Sequence, residues 1–451
     1  MSRDKKVLSK EESFCPSIVE DFDLFMEYIS ANDLILTLKK KNLKQKDLYA
    51  MNALMTNKEE GVTEKSNQFS YPFLNLLFHL STKSQLCLVD SRNRQPKLMV
   101  SDSYNTYKKL NFYEKYIFLL ETFWVDIDWE SIGIHNHDNL SLATVDSVLE
   151  ILCALKAGEE VKIHGGYYQV YFSERNAFLR NFYYFGFWDV IECESLSTQE
   201  YEAGKIIANK LGILLADVLY NKRKITNWNR PYQNSFEREN NYNGILTDFI
   251  FDKVKESKIL TDQQHAELKR NFKAKIKSKL NDKTKIKNKI EVDIFYHAFR
   301  PIFPSGVLTK TLSSLKEKFK EGIYIFKCSY NNRVWREIKI ADNHTLLDLH
   351  NIIQKAYDFD DDHLYSFYMD GVYGSNIFYN SKMCNRGPYV EEIKIGELNL
   401  YVGKNFLYLF DFGDNWKINI SVEKILDKKT DIFEPEIIGS KGESPDQYPF
   451  Y

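Results

Sequence analysis

The sequence predicts a multidomain protein with a mainly α-helical N-terminal region, a charged helical connector and a C-terminal α+β domain. Three observations carry this. The 451 residues exceed what one ordinary hydrophobic core organises. Through the first half of the chain, apolar residues recur at the three- and four-residue steps of amphipathic helices. From Gly322 onward the pattern changes to short alternating or continuous apolar runs around one well-marked helix. The expected boundaries are 1–222 for the helical region, 223–320 for the linker and connector, and 321–451 for the α+β domain.

Composition is that of an ordinary soluble chain, with 43% hydrophobic and 27% charged residues. The 29 Tyr and 31 Phe against 10 Pro and 19 Gly favour well-packed cores. A formal charge of −2 gives no global attraction to nucleic acid or membranes, so any such contact needs a local patch. Cys15, Cys87, Cys153, Cys193, Cys328 and Cys384 are scattered without a C-x-x-C pair, which suits reduced thiols better than a disulfide frame or zinc knuckle. The opening MSRDKKVLSKEESF lacks the apolar run of a signal peptide, and no stretch has the roughly 18 apolar residues of a membrane span. A cytoplasmic protein with no membrane contact is expected.

Along the first region, Ile18, Phe22, Phe25 and Ile29 form one helical face, and residues 44–55 form another. Between them lie a short alternation at 34–38 and a basic turn at 39–42. A nearly all-apolar helix at 71–81 leads into a strand at 86–89, a polar turn at 90–96 and a returning strand at 97–100. Helix followed by a two-stranded ribbon with a polar tip is the outline of a winged-helix unit. Further helices are expected at 111–123, 144–156 and 197–219, with an aromatic stretch at 178–191, and no fixed-period repeat is evident. Residues 222–243 read as linker or surface loop, helices resume at 244–257 and 261–279, and Pro301 and Pro304 mark the next boundary.

In the C-terminal third, Thr345 and Asp348 form a capping box. Leu346, Leu349, Ile353 and Ala356 then line one face of a helix that ends in the acidic run at 358–362. Strands at 324–330 and 334–340 flank an Asn331-Asn332 turn, and another strand leaves the acidic run at 363–369. Residues 406–410 are apolar throughout, as in a strand buried on both faces. Trp416, Ile418, Ile420 and Val422 alternate with polar residues, giving a half-buried strand. The order ββαβ…ββ indicates an α+β domain with Trp335, Leu349, Ile353, Phe367, Phe410 and Trp416 in its core.

Several short motifs fall in one order here. They are Val334-Trp335-Arg336; Thr345-Leu346 with Leu349-His350; Asp361-Asp362-His363-Leu364 with Phe367; and Asp411-Phe412-Gly413-Asp414 with Trp416 and Glu423. Pro435 and Gly442-Glu443-Ser444-Pro445 close the series. On these residues, 321–451 resemble the plasmid pRiA4b ORF-3-like family, whose fold is also called MM3350-like. The resemblance implies a bacterial or archaeal setting linked with plasmids, mobile elements or host defence, and no established activity. Two positions depart from it. Ile418 stands where members often have histidine, and Ser444-Pro445-Asp446-Gln447-Tyr448 stands where many have Pro-Glu-Asp-x-Gly-Gly. The N-terminal region is similar, more loosely, to the helical, winged-helix-like region that precedes this domain in some relatives.

His350, Asp361, Asp362, His363, Asp411 and Asp414 combine imidazoles and carboxylates that suit a divalent transition ion able to activate water. The competing structural reading puts His350 at the helix's apolar face and makes the aspartates turn-formers that accept backbone N–H groups. Ile418 in place of a possible ligand favours the structural reading. His135-x-His137-Asp138 reads as a polar loop, because no third ligand cluster accompanies it. Candidate nucleic-acid contacts are Arg92 and Arg94 at the ribbon tip and Lys269, Arg270, Lys273 and Lys277 in the basic stretch 269–289. Acidic residues interleave or flank that stretch, so a solvated helix face competes with phosphate binding there. No phosphate-binding glycine loop, G-x-S-x-G or H-E-x-x-H occurs. The sequence thus favours a non-enzymatic binding or accessory protein whose partner is DNA or another protein. The alternative is a metal-assisted, hydrolase- or nuclease-like enzyme built on the acidic turns.

Overall fold

The computed structural model describes residues 16–92, 95–132, 140–162, 176–192, 203–231, 294–312, 320–374, 378–384, 387–427 and 434–447. The chain opens with α1 (Ile18–Ala31), β1 (Leu34–Ile35), α2 (Gln45–Leu54), α3 (Pro72–Lys83) and an antiparallel ribbon of β2 (Cys87–Asp90) and β3 (Lys97–Val100). α1 buries Ile18, Phe22, Phe25 and Ile29, the face read from the sequence. α3 starts at Pro72, whose fixed φ and missing N–H suit a first helical position. It buries Phe73, Leu74, Asn75, Leu76, Leu77, Phe78, Leu80 and Ser81, so nearly its whole circumference is covered. β1 pairs with β3, giving a three-stranded sheet ordered β1-β3-β2.

A second unit has the same plan. After α4 (Ser103–Tyr107) and α5 (Phe112–Glu121) come α6 (Leu140–Ala154), β4 (Glu160–Lys162), α7 (Asn176–Tyr184), β5 (Trp188–Glu192) and β6 (Ala203–Ala208). Its sheet is ordered β4-β6-β5, again first-third-second. The topology recurs where the sequence shows no periodic repeat. α8 (Lys210–Lys222) and α9 (Ile225–Trp228) follow.

Of the single helix expected over 197–219, residues 203–219 are instead a strand followed by a helix, and 197–202 lie outside the described residues. Ile206 and Ile207, β-branched neighbours, lie in β6. The Asn209 side chain then accepts the Gly212 N–H at 2.7 Å and starts α8 afresh. One apolar core runs from Ile18 to Leu312, with Trp124, Phe182 and Trp188 among its fully buried rings. Residues 294–312, which the sequence reading places in the connector, pack into this core. The Arg223 guanidinium donates to the carbonyls of Phe295 at 3.2 Å and Ile294 at 3.1 Å. The buried Glu114 carboxylate accepts from the Thr309 hydroxyl at 2.7 Å and the Lys310 N–H at 3.1 Å. The expected helices at 244–257 and 261–279 lie outside the described residues.

The C-terminal domain is a seven-stranded antiparallel sheet with α10 (Leu346–Tyr357) against one face. Its strands are β7 (Ile323–Ser329), β8 (Trp335–Ala341), β9 (Tyr365–Tyr368), β10 (Phe378–Asn380), β11 (Asn405–Phe410), β12 (Trp416–Leu426) and β13 (Glu436–Lys441). They are ordered β10-β9-β11-β12-β7-β8-β13. The period-2 rule sorts the faces. Phe326, Ile338, Phe367, Phe406, Phe410, Ile418 and Ile420 point to α10 and close on Leu349 and Ile353. Trp335 alternates with Arg336, Ile338 and Ile340, so it stands on the opposite face from the core that the sequence reading gave it. There its half-buried ring lies under the Lys327 ammonium at 4.7 Å. Trp416 is half-buried at the rim of the core, against Phe359 at 5.0 Å. β13 is the outer strand beside β8, and its register shifts between Ile437 and Gly439.

The ribbon of the first unit meets the C-terminal domain at residues 401–404. The Val89 N–H donates to the Tyr401 hydroxyl at 3.4 Å, and the Ser91 N–H donates to the Gly403 carbonyl at 3.3 Å. Gly403 has φ +93°, and a Cβ there would stand 2.6 Å from Asp90 Oδ1, so only glycine fits the contact. No helix among the described residues is long and apolar enough to cross a membrane.

Phe410, fully buried, and Trp335, on the outer face, give a direct test of this face assignment. Phe410→Ala should cost about 3–5 kcal/mol in urea unfolding, and Trp335→Ala at most about 1 kcal/mol. A reversed order would mean that the inner and outer faces are misassigned.

Candidate functional site

The candidate residues gather where α10 ends above β9 and β11. Thr345 Oγ1 accepts the Asp348 N–H at 3.2 Å, and Asp348 Oδ2 accepts the Thr345 N–H at 2.7 Å, which fixes where the helix begins. The helix closes at Asp358, whose φ of +58° is left-handed, a conformation aspartate tolerates better than most residues. The chain then turns through the acidic run into β9.

This geometry divides the six candidates into two sets. In the first, the fully buried His350 ring stacks on Tyr365 with centroids 3.6 Å apart and planes 3° from parallel. His350 Nδ1 lies 2.7 Å from the Tyr408 hydroxyl, and Nε2 lies 2.9 Å from Asp361 Oδ1. The Gln354 amide donates to the same hydroxyl at 2.8 Å. Burial lowers the His350 pKa, and the Asp361 charge offsets part of that effect. Burial also pushes the Tyr408 hydroxyl well up, so it stays protonated. The consistent assignment is a neutral imidazole that accepts from Tyr408 at Nδ1 and donates from Nε2 to Asp361. Nε2 then carries the proton given to Asp361 and the Nδ1 lone pair is taken by Tyr408, leaving neither nitrogen open to a metal.

The second set reaches the surface at His363 and Asp362. His363 Nδ1 is 2.6 Å from Asp362 Oδ1, and Nε2 is 3.6 Å from Asp411 Oδ2. The hydrogen bond to Asp362 raises the His363 pKa, helped by the Asp411, Asp362 and Asp414 charges, while desolvation opposes it. Asp411 has φ +51° and is buried in the β11–β12 hairpin turn. Its Oδ1 accepts N–H groups from Gly413 at 2.8 Å and Asp414 at 3.3 Å, so this carboxylate shapes the turn. Asp361 and Asp362, adjacent in sequence, serve different sets. Among the described residues no group of three or more His, Cys, Asp or Glu side chains is arranged to hold a metal ion.

On the other face of the sheet, a cavity of about 230 Å³ is lined by Ser366, Tyr368, Phe378, Asn380, Cys384 and Phe412, among others. Ser366 Oγ donates to Asn380 Oδ1 inside it at 2.5 Å. It opens on neither histidine's ring. Arg92 forms a two-point contact with Asp90, Nε to Oδ1 at 3.0 Å and Nη2 to Oδ2 at 2.7 Å. Arg94, Lys269, Arg270, Lys273 and Lys277, with His135, His137 and Asp138, lie outside the described residues.

The sequence reading missed Tyr408, Gln354 and Tyr365 as partners of His350. Two signals were available. Gln354 follows His350 at i+4 on one helix face, and Tyr408 shares the inner parity of Phe406 and Phe410 in β11.

Residues 328–447 match a family model described as plasmid pRiA4b ORF-3-like protein, and 1–327 lie outside the match. The C-terminal domain is therefore similar to that family. The crystal structure of a protein of unknown function, MM3350 from Methanosarcina mazei Go1, is 27% identical over 28% of this chain and 74% of that one, with a TM-score of 0.24. No curated protein matches the chain.

Two substitutions separate the sets. Tyr408→Phe leaves His350 Nδ1 and the Gln354 amide unpaired in the core, and should cost about 1–3 kcal/mol in urea unfolding. A loss below about 0.5 kcal/mol would mean that the hydroxyl binds neither group. For His363 the folded pKa lies above its unfolded value near 6.5. Its stabilisation is therefore complete below about pH 6.5 and is lost as pH rises through the raised folded pKa. His363→Gln should lower the melting temperature at about pH 6 and leave it unchanged at about pH 9. An equal drop at both pH values would rule out the charge as the cause.

Proposed function

We propose that this protein is a non-enzymatic binding or accessory protein that works through protein contacts, with its N-terminal region built from two winged-helix-like units. The first-third-second order of both three-stranded sheets, each with helices before a ribbon, supports that description of the units. The observation that carries the functional reading is the burial of α3. A helix-turn-helix protein reads duplex DNA by laying a helix with exposed polar side chains in the major groove. Here the helix preceding the ribbon is covered nearly all round by apolar contacts. The ribbon is also engaged: Arg92 is held by Asp90, and the neighbouring N–H groups are spent on Tyr401 and Gly403. By contrast, α2 exposes Tyr49 at 43% and Leu54 at 50%, apolar surface of the kind protein partners cover.

The metal-assisted alternative draws less support. Its two histidines belong to separate sets, and His350 already has both nitrogens bonded.

Titration of labelled duplex DNA tests the reading. We expect wild type and Arg92→Ala to bind alike, weakly, and only at low salt, as non-specific phosphate contacts do. A complex that survives about 0.15 M salt and is lost in Arg92→Ala would overturn it in favour of DNA recognition.

A further inference from the structure

We infer that the cavity on the outer face of the C-terminal sheet binds a small, neutral, planar heteroaromatic molecule that carries a ring N–H. The cavity follows from strand register. Ser366 and Tyr368, alternate residues of β9, stand on one face and pair across to Asn380 and Phe378 of β10. A pair of large rings thus stands beside a pair of short polar side chains, which leaves a step in the sheet surface. Phe412, from the β11–β12 turn, and Cys384, from the turn after β10, wall that step.

Hydrogen bonds hold these walls in place without a ligand. The Asp411 N–H donates to the Leu364 carbonyl at 2.9 Å, which seats the Phe412 turn against the start of β9. The Ser381 N–H donates to the Tyr365 carbonyl and the Cys384 N–H to the Ser381 carbonyl, each at 3.0 Å. The Tyr368 ring packs against Phe378 with centroids 6.4 Å apart. Pre-formed cavities with aromatic walls and few polar groups are the usual form of a small-molecule site. Phe412 remains 40% exposed, so a ring seated on it would remove apolar surface from water.

The lining selects the ligand. The volume is about 230 Å³, and an apolar cavity of about 150 Å³ takes benzene, so one ring or two fused rings fit. No charged side chain is among the described lining residues, so a charged ligand would lose its hydration without a counter-ion. The aromatic walls favour a flat π-face. Polar specificity lies in Ser366 and Asn380, which are 1% and 8% exposed. Ser366 Oγ gives its one proton to Asn380 Oδ1 at 2.5 Å, so toward a ligand it can only accept. A ring N–H is the matching donor. Indoles and nucleobases share that chemistry.

The test titrates the full chain by calorimetry with two pairs of probes, indole with 1-methylindole and uracil with 1,3-dimethyluracil. Each methylated probe keeps its ring but lacks the N–H. Indole or uracil should bind saturably, and the tighter of the two separates an indole-type ligand from a nucleobase. Its methylated counterpart should bind at least about ten-fold more weakly, the effect of one unmade buried hydrogen bond. Ser366→Ala should weaken the parent probe to the same extent and leave the methylated one as it was. Phe412→Ala, at an exposed position that folding does not depend on, should weaken both. The bound ring should also slow alkylation of Cys384 by N-ethylmaleimide, read by peptide mass, and leave the half-buried Cys153 of α6 unchanged. No saturable binding of indole or uracil, equal affinity for a parent and its methylated counterpart, or binding that leaves Cys384 alkylation unchanged would overturn the site.

Discussion

The C-terminal domain is held at one end by a buried guanidinium. Arg336 is 6% exposed, and its Nε donates to the Ala356 carbonyl at 2.7 Å, at the end of α10. Nη1 reaches the carbonyls of Trp335, Lys441 and Gly442, Nη2 reaches the Ser444 hydroxyl at 2.8 Å, and the group lies 4.8 Å from the Tyr357 ring centroid. A cation suits a helix C-terminus, where unpaired carbonyls gather partial negative charge. Its planar fork spreads over acceptors that one ammonium could not span. Helix, inner strand, outer strand and the segment after it are thus joined through one side chain. Gly442, at φ +74°, is required there because a Cβ would come within 2.5 Å of the Arg333 carbonyl oxygen. This gives a structural reason for Val334-Trp335-Arg336 and Gly442-Glu443-Ser444 appearing together among the motifs.

Local signals were legible where one period governs. The capping box at Thr345, the helix face of Leu349 and Ile353, and the doubly buried run at 406–410 depend on neighbours in sequence, and the structure places them as read. Trp335 was not legible in this way. Its size suggests a core residue, but its parity with Glu337 and Lys339 puts it on the outer face, so parity outweighs hydrophobicity there. The strand over 203–208 was hidden because Ala203, Gly204 and Ala208 carry little β signal, and its pairing partners lie in β4 and β5. The matching sheet orders of the two N-terminal units are a tertiary property with no sequence period to announce them.

The candidate site was legible as a set of residues but not as two sets. Aspartates at 361 and 362 look equivalent in sequence. Successive side chains leave an extended backbone on opposite sides, and here one faces the helix and the other the hairpin. The result is that burial lowers the pKa of His350 in α10 while the hydrogen bond to Asp362 raises that of His363, which precedes β9.

The register shift in β13 has a consequence for the molecule's behaviour in crowded solution. An outermost strand offers a row of free N–H and C=O groups to any other extended chain, and Ile437 and Ile438, at 40% and 46% exposed, would reward such an encounter. The irregularity between Ile437 and Gly439 throws that row out of step, and Glu436 and Lys441 put a charge at either end. Among the described residues β13 thus closes its side of the sheet with a bulged, charge-flanked edge, which opposes pairing with another extended chain.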